Sequence, residues 1–170
     1  MKTDRTLWPW SLLALAWLAF AAYVWLSVGR LPDHVATHFG MNGVANGWET
    51  HAGYVRTTLL FGTGVPAFIV GLFAVIRLGN GWGMNIPHKE YWLAPERRQE
   101  TMAFFQRQGM IFAAMLIGFF AMMHYSILSA NAQTPASLPA SSAFRYGGVF
   151  LAAAIAWVAA FTSHFYRKPL

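Results

Sequence analysis

Three histidines lie near one another in a polar part of the sequence, where they could share a metal ion. His34, His38 and His51 are separated only by short stretches of chain. Asp33 and Glu49 add two carboxylates to the same segment. Imidazole and carboxylate groups bind zinc, and imidazole also binds copper. We expect no cofactor, because a loop histidine commonly bonds a backbone carbonyl instead; a zinc or copper site at His34, His38 and His51 is the alternative.

A fourth histidine, His124, follows Met122 and Met123 in a long apolar segment. Its distance along a helix from Arg107 predicts a position near the same membrane face as the other three histidines. Thioether and imidazole groups together suit Cu(I), so His124 could extend the alternative metal site. Packing explains the same residues equally well, because methionine commonly fills gaps between helices.

Other catalytic or nucleic-acid chemistry has little support in the sequence. The chain has no cysteine and six carboxylates, and none of the motifs GxSxG, HExxH or the P-loop occurs. Its net charge is +6, but the twelve basic residues are spread in small groups rather than along one amphipathic face. We therefore expect a protein that is not an enzyme and does not bind nucleic acid.

Composition places these residues in a membrane protein. Hydrophobic residues make up 56% of the chain, charged residues 11%, and the mean hydropathy is +0.40. Soluble domains are about 25% charged, and a membrane-spanning helix needs about 20 apolar residues. We predict an all-α, integral membrane four-helix bundle that forms one domain over residues 1–170. Its predicted spans are residues 7–28, 57–77, 108–129 and 146–165.

Small residues predict where these helices approach one another closely. In the second span they are Gly62, Gly64 and Gly71, near Pro66, which should bend the helix. The fourth span has a small residue at every fourth position. We expect this stripe to pack within the bundle, and the alternative is a contact between two copies in a homo-oligomer. The stripe consists of Gly148, Ala152, Ala156 and Ala160.

The distribution of lysine and arginine predicts the orientation in the membrane, because cytoplasmic segments are rich in both. With both termini in the cytoplasm, nine basic residues lie on the inner side and three on the outer side. This assignment predicts a multi-pass protein of the bacterial inner membrane. The inner residues are Lys2, Arg5, Arg77, Lys89, Arg97, Arg98, Arg107, Arg167 and Lys168, and the outer ones are Arg30, Arg56 and Arg145.

The predicted outer loop, residues 30–55, is longer than a helix connection needs, and such loops are often functional. We expect it to be structured, because its apolar side chains would otherwise stay in water. Pro32 followed by Asp33 predicts a first helical turn. If that turn continues, His34 and His38 share one face of a helix. Two Asn-Gly pairs, at 42–43 and 46–47, predict tight turns.

The segment LPDHVATHFGMNGVANGW, residues 31–48, resembles the signature of a bacterial membrane-domain family of unknown function. That family is best known from the N-terminal part of SdpI-type immunity proteins, and its pattern runs approximately LPxxIPxHFNxxGxxDGW. Gly40 replaces the usual Asn, and Asn46 replaces the usual Asp. The matching residues, which we take as the candidate outer binding residues, are Pro32, His38, Phe39, Gly43, Gly47 and Trp48.

A second dense segment lies in the predicted inner loop, residues 78–107, which we expect to be amphipathic. Pro95 followed by Glu96 predicts a helix start. Tyr91 and Trp92 are expected to anchor this loop at the lipid headgroups, and nearby basic residues favour the anionic inner leaflet. A surface that docks a partner is the alternative explanation.

This inner segment also resembles a motif of stand-alone members of the same family, often close to NIPNKxYWLAPERR, with His88 in place of Asn. The resemblance covers roughly residues 10–110. SdpI-type proteins give toxin immunity and signal by sequestering a repressor, and this chain is expected to be a short member without their second membrane domain. The candidate inner binding residues are Asn85, Pro87, Lys89, Tyr91, Trp92, Pro95, Glu96, Arg97 and Arg98.

Two motif-rich loops on opposite membrane faces favour a protein that acts by binding. We expect the outer loop to recognise a peptide, toxin or membrane partner, in a sensing, immunity or regulatory role. The inner loop would then transmit or anchor that event. The competing hypotheses are an extracytoplasmic metal-binding protein and an accessory subunit of a membrane complex.

Overall fold

The computed structural model describes residues 7–167, apart from the side chains at positions 140 and 143. It is mostly helical, with one small antiparallel hairpin. Lys2, Arg5 and Lys168, which contribute to the predicted orientation, lie outside the described residues. In chain order the elements are α1 (Leu7–Ser27) with a 3-10 turn (Val28–Arg30), β1 (His34–Phe39), β2 (Ala45–Thr50), α2 (His51–Leu78), α3 (Lys89–Trp92), α4 (Pro95–Asn131) and α5 (Ala140–Tyr166).

Four helical segments are long and apolar enough to cross a membrane, which confirms the predicted four-helix membrane architecture. They are Leu7–Arg30, His51–Leu78, Pro95–Asn131 and Phe144–Tyr166. Their outer surfaces expose many large apolar side chains. Soluble proteins rarely expose so much contiguous apolar surface to water. Lipid is therefore the solvent for these faces. Examples from α1, α2 and α5 are Leu15, Leu26, Phe68, Val75, Leu151 and Ile155.

Helix α4 lies at the centre of the packing and contacts α1, α2 and α5. Near the middle of the bundle, Phe20 and Val24 of α1 pack against Ile117 of α4. At the end away from the hairpin, α4 and α5 share an aromatic cluster that includes Phe105 and Phe165. Contacts of this kind fix the ends of the four helices, and both motif-rich loops are carried on those ends.

Only some of the predicted small-residue contacts are formed. A Cβ on Gly62 would overlap the ring of Phe20, so this glycine does allow α1 and α2 to approach closely. Gly64 and Gly71 have no other atom within 4 Å of a Cβ position, so their predicted contacts are wrong. The stripe formed by Gly148, Ala152, Ala156 and Ala160 is exposed rather than packed within the bundle. A contact between two copies through this stripe stays a prediction.

The predicted helical turn after Pro32 is wrong, because residues 34–50 form a β-hairpin. His34 pairs with Thr50, Val35 with Glu49 and Ala36 with Trp48. The segment HVATHF is rich in β-branched and aromatic residues, which fit a strand better than a short helix. Burial of Val35 against the helices sets which face points inward.

One of the two predicted Asn-Gly turns is formed. Gly43 has a φ of +79°, and a Cβ there would lie 2.6 Å from the carbonyl oxygen of Leu138, so the turn requires glycine. Asn46 and Gly47 lie inside β2, which contradicts the second predicted turn. The hairpin therefore turns once, and β2 leads directly into α2.

Candidate functional site

The hairpin is attached to the helix bundle through the side chain of Asn131, at the end of α4. Its Oδ1 accepts a hydrogen bond from the backbone N–H of Ala36, and its Nδ2 donates to the carbonyl of Ala36, both at 2.9 Å. The amide thus pairs with Ala36 as a neighbouring strand would, which satisfies the outer edge of β1. Nδ2 also donates to the carbonyl of Ile127 at 2.9 Å, so the amide itself is held in place.

His51 makes a second attachment where β2 passes into α2. Its backbone N–H donates to the carbonyl of Asp33 at 2.8 Å, and its Nε2 bonds the carbonyl of Val28 at 2.9 Å. The hydroxyl of Thr50 accepts from the N–H of Gly53 and caps the helix. Because the start of α2 is bonded to the end of α1 and to the hairpin, these three elements form one rigid unit.

Beneath the hairpin, three helices meet at a buried histidine. His124 of α4 is 1% exposed, and its Nε2 lies 2.8 Å from the hydroxyl of Ser27 on α1. Its Nδ1 lies 2.7 Å from the hydroxyl of Tyr54 on α2. The ring of Tyr54 stacks on the imidazole, and the ring of Tyr23 meets its edge. A titratable side chain inside a membrane helix is costly unless it is paired, and here both nitrogens have partners.

One arrangement of protons satisfies this whole cluster with a neutral imidazole. Tyr54 donates its hydroxyl proton to Nδ1 of His124, and Nε2–H of His124 donates to Ser27. The Ser27 hydroxyl then donates to the carbonyl of Tyr23, 2.5 Å away on the previous turn of α1. Each donor has an acceptor, so the cluster links three helices without an unpaired polar atom.

The outward face of the hairpin carries His34 and Trp48, two of the side chains singled out above. Residues directly opposite in an antiparallel pair share a face, so His34 with Thr50 and Ala36 with Trp48 lie on the side away from buried Val35. Trp48 is 58% exposed. His38 lies farther along β1, opposite Gly47, where a Cβ would lie 2.9 Å from that of His38.

The remaining candidate outer residues have different surroundings. Pro32 is exposed, and Phe39 is half-buried and pairs with Ala45. Gly43 is buried at the turn, where its carbonyl accepts from the N–H of Leu138 at 2.9 Å. The turn is thereby joined to the connection between α4 and α5. Of the six candidate outer residues, Pro32, His38 and Trp48 are the ones exposed at the surface.

The structure does not gather the histidines of the alternative zinc or copper site into one group. Nδ1 of His38 bonds the side-chain oxygen of Asn46, and His51 bonds the carbonyl of Val28. His124 lies inside the bundle with Ser27 and Tyr54 rather than beside the hairpin histidines. Within residues 7–167, no group of three His, Asp or Glu side chains is placed to hold a metal ion. The hairpin separates these histidines, because it orients His34 outward while His51 begins a helix.

The inner motif mainly joins helices at the opposite end of the bundle. Trp92 donates its indole N–H to the carbonyl of Phe165 at 3.1 Å and accepts at its own carbonyl from the hydroxyl of Thr101 at 2.8 Å. Arg97 places its guanidinium 4.0 Å from the centre of the Tyr91 ring. Arg98 donates to the carbonyl of Leu93 at 3.1 Å.

The other candidate inner residues lie around these contacts. Pro95 begins α4, as predicted, and Pro87 precedes the short helix α3. Of the nine candidate inner residues, the exposed ones are Asn85, Lys89, Pro95, Glu96 and Arg97. The motif therefore both packs α3 against α4 and α5 and leaves polar side chains at the surface.

Comparison with known proteins identifies one domain and no characterised relative. Residues 12–54 match the family model described as a domain of unknown function (DUF1648). The matched segment covers most of α1, the whole hairpin and the first residues of α2. No curated protein and no solved structure gives a significant match. The chain is accordingly a membrane protein of unknown function with this domain near its N-terminus.

Replacing His124 with Leu is expected to lower the free energy of unfolding by about 1–3 kcal/mol. Two interhelical hydrogen bonds are lost, each worth about 0.6–1.7 kcal/mol inside a membrane. Tyr54→Phe should lower the free energy of unfolding by part of this amount. The double variant His124→Leu/Tyr54→Phe should lower it by less than the sum of the two single variants. Unfolding in mixed micelles measures these values. Exposed His34→Leu is the control, and an equal loss in that variant would contradict the proposed role of the cluster.

Replacing Asn131 with Leu is expected to speed hydrogen exchange at the backbone amide of Ala36 at least tenfold. This factor corresponds to about 1.4 kcal/mol of local opening free energy. Hydrogen–deuterium exchange resolved to the hairpin measures it. Gln133→Leu is the matched control, because the side chain of Gln133 accepts from the hydroxyl of Ser137 in the neighbouring connection and not from the hairpin. Unchanged protection of Ala36 in Asn131→Leu would mean that another group secures the hairpin.

Proposed function

We propose that this protein is a non-enzymatic binding protein of the bacterial inner membrane, whose hairpin recognises an extended peptide segment of a partner outside the cytoplasm. The observation that carries this proposal is the exposed Trp48 on a hairpin that Asn131 and His51 hold firmly on the helices. Binding residues are commonly presented in this way, on a loop positioned by a rigid scaffold. Both termini lie in the cytoplasm in this proposal, as the distribution of basic residues predicts.

An exposed tryptophan favours recognition of another polypeptide. Tryptophan is enriched among residues that dominate binding energy, because it buries a large rigid surface and also carries a hydrogen-bond donor. The imidazole of His34 lies on the same face as Trp48 and adds a polar group beside it. Such a face, with an apolar centre and a polar rim, is the usual form of a protein interface.

The backbone at Trp48 favours an extended peptide as the partner. The N–H and C=O of Ala36 point away from β2, because both bond Asn131. Ala36 and Trp48 therefore form a pair without mutual hydrogen bonds, and the N–H and C=O of Trp48 point away from β1. Within residues 7–167, Trp48 makes no backbone hydrogen bond beyond the hairpin. An added peptide strand would pair with this open edge.

The proposed role in sensing, regulation or immunity rests on the sequence resemblance, because the matched domain has no known function of its own. The DUF1648 match ends near the start of α2 and includes every residue of the hairpin. The sequence also resembles SdpI-type immunity proteins in the hairpin and in the inner motif. In this proposal the hairpin binds a peptide or toxin, and the inner motif transmits or anchors that event through α4, which contacts both ends.

Replacing Trp48 with Ala is expected to reduce recovery of the bound partner at least tenfold, because truncating a central interface residue costs about 2 kcal/mol or more. The measurement is quantitative mass spectrometry of proteins that co-purify with the tagged protein after cross-linking in intact cells. Met41→Ala is the matched control, since Met41 is 92% exposed at the turn of the same hairpin. With Met41→Ala, recovery of the bound partner should stay within twofold of its recovery with the wild-type protein.

Two results would contradict this function. One is recovery of the same proteins at wild-type levels with Trp48→Ala. The other is cross-linking of position 48 to lipid and to no polypeptide, which would make Trp48 a membrane-interface anchor.

A further inference from the structure

A cleft lies among the helix ends opposite the hairpin, with a volume of about 540 Å³. Helices α1 to α5 all contribute to its walls. We call it the arginine cleft, after Arg77 of α2 and Arg97 and Arg107 of α4. Its volume falls within the usual range of small-molecule sites, about 300–1,000 Å³.

Charge in the arginine cleft is strongly positive. Three guanidinium groups line it together with one carboxylate, that of Glu100. Arg97 lies over the ring of Tyr91, and Arg107 lies 5.4 Å from the centre of the Phe104 ring. Aromatic rings orient a guanidinium but do not neutralise it. The cleft therefore has an excess of positive charge for an anionic ligand.

A buried amide in the same cleft independently indicates a polar ligand. Gln106 is 4% exposed and lines the cleft, between the turns of α4 that carry Glu100 and Arg107. Within residues 7–167, its side chain makes no hydrogen bond to the protein, and its amide atoms reach the surface of the cleft. An amide placed there needs a partner that enters the cleft, because polar groups away from bulk water are nearly always hydrogen-bonded. The amide of Gln106 is thus available to a group that enters the cleft.

The rest of the lining fits the boundary between lipid headgroups and hydrocarbon. Arg77 lies in the last turn of α2, and Trp10 lies in the first turn of α1, so the cleft opens at the level of the helix ends. Pro9, Met110 and Trp92 add apolar surface beside the charged groups. A phospholipid presents the same combination, a charged phosphate attached to apolar chains.

We propose that the arginine cleft binds the phosphate group of an anionic phospholipid, with Arg77, Arg97 and Arg107 around the phosphate oxygens and the amide of Gln106 donating to one of them. Arginine suits this task because its planar fork of N–H groups matches phosphate oxygens. The other source of the same chemistry is a soluble phosphate compound. This site is separate from the hairpin and does not depend on what the hairpin binds.

Native mass spectrometry of the purified protein tests the site, with phosphatidylglycerol and with diacylglycerol of the same acyl chains, which lacks the phosphate. Wild-type protein is expected to retain phosphatidylglycerol at least tenfold more than diacylglycerol. The double variant Arg77→Gln/Arg107→Gln should lose this preference at least tenfold. The double variant Arg56→Gln/Arg145→Gln removes the same charge outside the cleft and should stay within twofold of wild type.

Gln106→Leu separates binding from folding, because it removes the unpaired amide without changing the charge. It should reduce retention of phosphatidylglycerol at least threefold while the thermal stability in lipid-free detergent stays equal or rises. Stabilisation of wild type by inorganic phosphate, without preferential retention of phosphatidylglycerol, would assign the cleft to a soluble phosphate compound. Equal retention of both lipids, with no stabilisation by inorganic phosphate, would overturn the proposal.

Discussion

The hydrocarbon core of a membrane offers no hydrogen bonds, and this constraint accounts for the arrangement of polar groups in the protein. Tyr54, His124 and Ser27 bond one another across three helices, and Trp17 donates to the hydroxyl of Thr63 at 2.8 Å between α1 and α2. Among the described side-chain atoms, the indole nitrogen of Trp157 is the buried one without a partner. In the part of the chain that the structure describes, non-helical backbone is confined to the two ends of the bundle, where water is available.

The two ends satisfy this constraint in different ways. At one end, backbone hydrogen bonds form a hairpin, and the side chains of Asn131 and His51 bond it to the helices. At the other end, aromatic rings pack α3, α4 and α5 together, and arginines remain around an open cleft. One end is thus a rigid surface with an exposed tryptophan, and the other is a charged cavity. Helix α4 runs from one end to the other, so a conformational change at either end can be transmitted along this single helix.

Hydropathy alone predicted the four helices, because the need for about 20 apolar residues is a strong and local signal. The hairpin was missed, since a six-residue segment after Pro32 carries too few residues to distinguish a helix from a strand. Asn131 and Ala36 are 95 positions apart in the sequence, so no local pattern predicts that they pair. His124 did stand out as a polar residue in an apolar segment, but its partners Ser27 and Tyr54 come from helices whose packing one sequence does not specify. Nothing in the sequence singled out Gln106, because its role in the cleft depends on its burial in the folded protein.

A membrane around the four helices would separate the hairpin from the arginine cleft, and the two ends of the bundle would then differ in access from outside the cell. Because the chain has no cysteine, single cysteines introduced at Met41 in the hairpin and at Glu90 in α3 report the two ends independently. The measurement is labelling with a membrane-impermeant maleimide in spheroplasts. We expect Met41→Cys to react in intact spheroplasts and Glu90→Cys to react only after the membrane is opened. Reaction of both cysteines in intact spheroplasts would show that no membrane separates the hairpin from α3.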